Sequence, residues 1–281
     1  MNEALPAGSS VGNAAELRTT PYQPGDHLLP KLAAMRRAFR NWMLVSALRK
    51  LATWRVPAVL DRRLLLRTRE GPRLLARTRD FEAAIDVYAF GAYDFLYDWQ
   101  SFQYVIDVGA QIGCFSLWLA HRSNARIHAF EPNPETYAIL AGNLLENSLQ
   151  DQVTPNRLGL AAAAGHRNLH LSRLSSASSL VTEVDGDRVV GVDTVGLAEL
   201  IAATGFPRVD LLKIDIEGSE YEVFDAVQPD TLDGVEMIFM ECHPVPGRSP
   251  SELIGRLQSL GFDVAAEAFV RQSFLVAARP Q

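Results

Sequence analysis

Residues 104–120 read YVIDVGAQIGCFSLWLA, and this stretch decides the fold. Tyr104 to Val108 is a short β-branched run, whereas the residues from Phe115 onward repeat apolar side chains at helical spacing. Between them Gly109 and Gly113 allow a tight turn and a close approach of backbone to a ligand, and the following helix opens with unpaired N–H groups. A strand that turns through glycines directly into a helix is the first half of a β-α-β unit. The downstream sequence continues the alternation. Strand-like runs at 126–130, 153–158, 209–214 and 235–241 are interleaved with helical stretches at 115–121, 134–147, 195–204, 219–227 and 251–260. Further strands are expected at 168–172 and 273–277. The pattern implies an α/β fold, a parallel sheet covered by helices on both faces, with ligands bound beyond the carboxyl ends of the strands.

The glycine turn carries a charge. Asp107 would repel a pyrophosphate and suits a ligand that bears a cation; the methionine part of S-adenosylmethionine bears two, an ammonium and a sulfonium. The next strand ends AFEPNP and places Glu131 24 residues after Asp107, where a carboxylate can accept hydrogen bonds from both hydroxyls of a ribose. A nicotinamide-binding Rossmann domain uses glycines and a ribose-binding acid too, but its Gly-x-Gly-x-x-Gly fingerprint is missing here.

In DVGAQIG, FEPNPETYAIL, SSASSL, VDTVGLAEL and LLKIDIEGSEYEVF the chain resembles the FkbM family of methyltransferases, over about residues 85–265. The resemblance implies the class I methyltransferase Rossmann-like fold, a mostly parallel seven-stranded sheet. It also implies S-adenosylmethionine as cofactor and O-methylation of a saccharide or natural-product small molecule. It makes Asp107, Gly109, Gly113 and Glu131 cofactor contacts and Tyr93 the residue that closes over the cofactor, with a core tyrosine as the alternative. Gln111 stands where Asn is usual in the turn, and Gly159 where Ala is usual.

Methyl transfer to oxygen is an in-line displacement, so the protein has to align the acceptor and take its proton. The segment KIDIEGSE supplies Asp215 and Glu217, and MECHP supplies Glu241 and His243. Each pair has one parity in an extended chain and would project to one side. Asp215 or His243 is the expected base, with Glu217 and Glu241 positioning the acceptor. Asp215 or Glu217 could instead cap the helix starting near Ser219. The group has the ligand chemistry for a divalent cation, but its spacing matches no metal signature, and no metal ligand is assigned. The hydroxyls of Ser175, Ser176, Ser178 and Ser179 are candidate donors to a polar acceptor.

Composition bounds the rest. With 48% hydrophobic residues among 281, the chain can bury a core. Its net charge of −6 conceals two different objects: residues 31–80 hold 14 Lys+Arg against 3 Asp+Glu, and residues 81–281 hold 12 against 27. The acidic part, expected to be the catalytic domain, disfavours nucleic acid at its active face. The basic part is expected to be a helical N-terminal element, amphipathic over 31–54, capable of peripheral membrane contact or of a scaffolding role without catalysis. Residues 1–30, rich in Gly, Pro, Ser and Asn, are expected to form a flexible leader. Two cysteines, no apolar span of roughly 18 to 20 residues and no secretory h-region point to the cytoplasm.

Overall fold

The computed structural model describes residues 63–68, 71–88, 93, 99–172, 178–181, 188–269 and 272–280. The leader, the helix expected over 31–54 and the residues Ser175 and Ser176 lie outside them. The chain runs β1 (Arg63–Arg67), β2 (Arg73–Arg77), α1 (Phe81–Tyr88), β3 (Tyr104–Val108), α2 (Cys114–Ala120) and β4 (Arg126–Phe130). Next come α3 (Pro134–Glu146), β5 (Val153–Asn156), β6 (Gly159–Leu160), β7 (Gly165–Leu171) and β8 (Arg188–Val195). The remainder is α4 (Leu197–Thr204), β9 (Leu211–Ile214), α5 (Glu220–Ala226), β10 (Met237–Cys242), α6 (Pro250–Ser259), β11 (Asp263–Phe269) and β12 (Gln272–Ala278).

Seven strands form the main sheet in the order β5-β4-β3-β9-β10-β12-β11. All run parallel except β12, which pairs antiparallel with both its neighbours. This is the class I methyltransferase arrangement that the resemblance implies. From β3 the order runs outward through β4 and β5, and from β9 through β10 to β12 and β11, so the carboxyl ends of β3 and β9 flank the point where the order reverses. A crevice opens there because the crossovers leave in opposite directions.

Alternation along the central strands sorts their side chains into two cores. Val105 and Leu211 face one, shared with Leu117 of α2 and Leu140 of α3. Ile106, Val108, Leu212 and Ile214 face the other, with Leu200 of α4, Phe224 of α5 and Leu257 of α6. Several helix ends are written in the local sequence. The Asn133 side chain accepts from Glu135 N–H in front of Pro134, the first residue of α3, and Ser249 and Glu252 form a capping box on α6.

Three elements depart from the sequence expectation. Within the basic segment, expected as a helical element that gives way to short strands and helices after residue 58, Arg63–Arg67 and Arg73–Arg77 pair as antiparallel strands. Leucine and arginine favour helices slightly, and here tertiary packing overrides them: Leu74 and Ala76 enter the first core. The buried amide of Asn143 on α3 fixes the hairpin, donating to Leu75 O (3.0 Å) and Ile112 O (2.8 Å) and accepting from Leu75 N–H (2.6 Å). The strand β8, RVVGVDTV, was not anticipated because Gly191 and Asp193 interrupt its pattern; it pairs with β6 and β7 in a second, three-stranded sheet. β11 was missed as well, its alanines being weak strand formers until β12 pairs with them. Among the described residues no helix is long and apolar enough to cross a membrane, and Cys114 and Cys242 are free and buried.

Replacing Asn143 with Ala would leave three backbone groups unpaired. A loss of about 1 to 3 kcal/mol is expected, the cost of unsatisfied buried polar groups, read as a lower midpoint in urea unfolding. An unchanged midpoint would show that the hairpin is not integrated into the domain.

Candidate active site

The glycine turn is clamped on both sides. Gly109 and Ala110 N–H both donate to Phe130 O of β4 (3.0 and 2.9 Å), and Asp215 N–H donates to Val108 O of β3 (3.0 Å). Gly109 has φ +76°, and a Cβ there would stand 1.7 Å from Asp215 O, so glycine is required for the turn to lie against the chain leaving β9. Gln111 takes φ +52°, a region that Asn adopts more readily than Gln, which is what the departure from the usual Asn costs. The other departure, Gly159, lies where a methyl group would meet Pro132 and Thr194 side chains at 3.3 Å.

Behind the turn sits a buried ion pair. Asp107 and Lys213 are register partners on β3 and β9, and Lys213 Nζ stands 3.2 Å from Asp107 Oδ1 and 3.5 Å from Asp215 Oδ2. It also donates to Gly109 O (3.1 Å), while Ser116 Oγ of α2 donates to Asp107 Oδ2 (2.6 Å). Burial opposes the charge on Lys213, but Asp107 and then Asp215 more than offset it and hold the amine well above its ordinary range. The sequence suggested that Asp107 faces a ligand cation. In the structure its carboxylate lies beside Lys213 and does not line the cavity. Lys213 was missed; the signal was a cation inside the otherwise apolar strand LLKI.

Glu131 follows β4 and turns into that cavity, which measures about 370 Å³. Its oxygens accept from Asn133 N–H (2.9 Å) and Gln111 N–H (3.1 Å). Burial outweighs these bonds and pushes its carboxyl up to about 7. Tyr93 lines the same cavity and packs its ring on Phe115 (4.6 Å between centroids), Phe239 and Trp118. It is therefore both a core aromatic and a wall residue.

At the other end of the cavity Asp215, Glu217, Glu241 and His243 come together. His243 Nε2 is 3.4 Å from Glu217 Oε2, 3.4 Å from Glu241 Oε1 and 3.9 Å from Asp215 Oδ1. Strand parity does not bring Asp215 and Glu217 together: β9 ends at Ile214, and the chain turns with Glu217 at φ +55°. Ser179 Oγ donates to Glu217 O (2.6 Å) and holds that turn; Ser178 lines the cavity. Neither Asp215 nor Glu217 caps α5, whose N-cap residue is Ser219 and which has no side-chain cap. Instead Glu220, fully buried in the first turn of α5, accepts from Ile216 N–H (3.3 Å) and pairs with His243 Nδ1 (2.8 Å). Glu220 was missed too, since nothing in the sequence separates it from an ordinary acidic first-turn residue.

These contacts set the protons. Burial alone would lower His243, but Glu220 and Glu241, then Glu217 and Asp215, raise it to about 12. Burial and the neighbouring carboxylates push Glu217 up to about 9. Both shifts favour the protonated form at neutral pH, which makes His243 less suited than Asp215 to the role of base that the sequence offered to either.

Comparison with known proteins shows what the chain is similar to as a whole. The profile of the methyltransferase FkbM domain family matches residues 107–264. The methyltransferase sdnD of Sordaria araneosa is 29% identical over 63% of this chain and 82% of its own length. The 31-O-demethyl-FK506 methyltransferase FkbM of Streptomyces tacrolimicus is 28% identical over 58% of this chain and 74% of its own. The hexuronic acid methyltransferase AglP of Haloferax volcanii is 28% identical over 49% of this chain and 54% of its own.

The ion pair behind the turn has a measurable consequence. Lys213→Met would leave Asp107 buried without a counter-charge and should cost about 3 to 5 kcal/mol. Chemical denaturation checks this, and a stability within 1 kcal/mol (roughly the value of an exposed pair) would show that Asp107 finds another partner.

Proposed function

The chain belongs to the FkbM methyltransferase family, and on that premise we propose that it carries the methyl group of S-adenosylmethionine to a hydroxyl of a saccharide or natural-product small molecule. The observation that carries the reading is one cavity with a glycine turn and a hydroxyl-seeking carboxylate at one end and a carboxylate–imidazolium cluster at the other. Two relatives point the same way, one named for a 31-O-demethyl substrate and one for a hexuronic acid.

The residues present suit the cofactor. Glu131 is buried, receives only two backbone N–H groups and is held near neutrality, the state of a carboxylate that still lacks donors; two ribose hydroxyls supply them. Gly109 and Gly113 shape the turn beside it, and Tyr93 walls the cavity. Bound there, S-adenosylmethionine supplies a methyl group already activated on a sulfonium. The protein's part is alignment and proton removal. With Glu217 and His243 favouring their protonated forms, the acceptor's proton goes to Asp215, Glu217 and His243 donate hydrogen bonds to the acceptor oxygen, and Glu241 positions the acceptor by accepting from a neighbouring hydroxyl. A cytoplasmic setting, where both cysteines stay reduced, completes the reading.

The test is formation of S-adenosylhomocysteine with a panel of hydroxylated acceptors, and no turnover with any acceptor despite tight cofactor binding would favour a scaffolding role. Asp215→Asn should lower kcat by about 10²–10⁴-fold with little change in cofactor affinity. Near-normal turnover in that variant would place the base elsewhere. The cofactor end has its own signature in pH. A protonated Glu131 cannot accept both hydroxyls, so affinity should rise with pH through about 7 and level off above. In Glu131→Gln that rise should vanish. Calorimetry across this range reads it, and identical pH profiles for the two proteins would sink the assignment.

A further inference from the structure

The cluster at the acceptor end holds more negative charge than its two cations meet. Lys213 is spent on Asp107, Asp215 and Gly109 O, which leaves His243 facing four carboxylates. One contact gives this excess a direction. His243 Nδ1 donates to Glu220, a carboxylate with no exposure and with its second oxygen, Oε2, unpartnered. With the Nδ1 proton fixed there, Nε2 points at Asp215, Glu217 and Glu241. A buried carboxylate that locks one imidazole nitrogen while the other faces carboxylates is the arrangement that orients metal-bound histidines and raises their basicity.

We propose that Asp215, Glu241 and His243 bind a divalent transition-metal ion at the acceptor end of the cavity. One ligand atom from each lies within 4.8 Å of the other two. Nε2 is 3.4 Å from Glu241 Oε1 and 3.9 Å from Asp215 Oδ1. An ion about 2.1 Å from each atom would see these pairs at angles of about 110° and 135°, within the reach of four- or five-coordinate sites with open positions. One imidazole with two carboxylates suits Mn²⁺ or Zn²⁺ better than Mg²⁺, which prefers oxygen alone. The ion takes the place of the Nε2 proton.

The use of the ion rests on reading this cavity as the acceptor site. An acceptor oxygen in an open position becomes more acidic on the ion. Its O–H bond breaks, the proton passes to the Asp215 oxygen that does not coordinate, and the oxygen's lone pair then attacks the methyl carbon as the carbon–sulfur bond breaks. The sulfur leaves as a neutral thioether.

Binding of the ion is tested apart from that use. Metal-stripped full-length protein is titrated with Mn²⁺ and followed by electron paramagnetic resonance, with Zn²⁺ as competitor. One saturable Mn²⁺ per chain is expected, displaced by Zn²⁺. Asp215→Asn and His243→Gln should each weaken it at least tenfold while the far-ultraviolet circular dichroism stays native. Glu220→Gln, which touches no ion, should weaken it about 10- to 100-fold, as expected when the partner that orients a ligand is lost. Asp193→Asn, at the exposed pair with His166, should leave it unchanged and so separates this site from adventitious binding. No saturable binding at millimolar Mn²⁺, or wild-type affinity in either ligand variant, overturns the proposal. Mn²⁺ binding without methyl transfer would leave the site standing and count against the function; transfer by metal-stripped protein that binds no Mn²⁺ would do the reverse.

Discussion

The ion pair between Asp107 and Lys213 is the constraint around which the site is arranged. At the reversal point of a parallel sheet two strands end side by side with crossovers leaving in opposite directions, and nothing in the backbone ladder fixes the loops beyond them. Lys213 does so by reaching Asp107 on the neighbouring strand, the carbonyl of Gly109 in the turn and the carboxylate of Asp215 beyond its own strand. The net stability of such a buried pair is modest, because desolvation cancels much of the attraction. Its value is positional. The pair sets the glycine turn and the first residue of the carboxylate cluster in one frame.

Charge then divides the cavity. Near Glu131 the walls carry one buried carboxylate served by backbone N–H groups. The far end gathers four carboxylates around one imidazole, and their mutual repulsion is relieved by protons on His243 and Glu217. The positive charge of a sulfonium methyl donor is favoured beside these acids.

The second sheet and the hairpin show how accessory elements tune the frame. β7 carries Leu169 to the cavity wall, and its Arg167 pairs with Glu222 on α5. Ser179, bridged to His170 of β7, holds the carbonyl of Glu217. The antiparallel extension thus supports the catalytic turn from outside the main sheet. On the opposite side the hairpin is tied through Asn143 to Ile112, inside the cofactor turn itself. Each accessory element thus places a buried polar side chain on a loop of the site, Ser179 on Glu217 O and Asn143 on Ile112 O.

Sequence alone determined the layer architecture, because apolar alternation and helix periodicity are local properties, and it located most of the strand and helix boundaries to within two or three residues. It also nominated Glu131, Asp215, Glu217, Glu241 and His243, since acids at the ends of apolar strands stand out against their surroundings. It could not show partnership: Asp107 meets Lys213 only because β9 lies beside β3, and the two residues are 106 positions apart in the chain. Whether His243 is a base or an imidazolium depends on four carboxylates delivered by a strand end, a left-handed turn and a helix. Strands such as β8 and β11 exist because neighbours complete their hydrogen bonds, which their own residues do not announce. Propensity and pattern act over a few residues along the chain, whereas ion pairing and proton affinity act over a few ångströms in space, and only the tertiary structure converts one distance into the other.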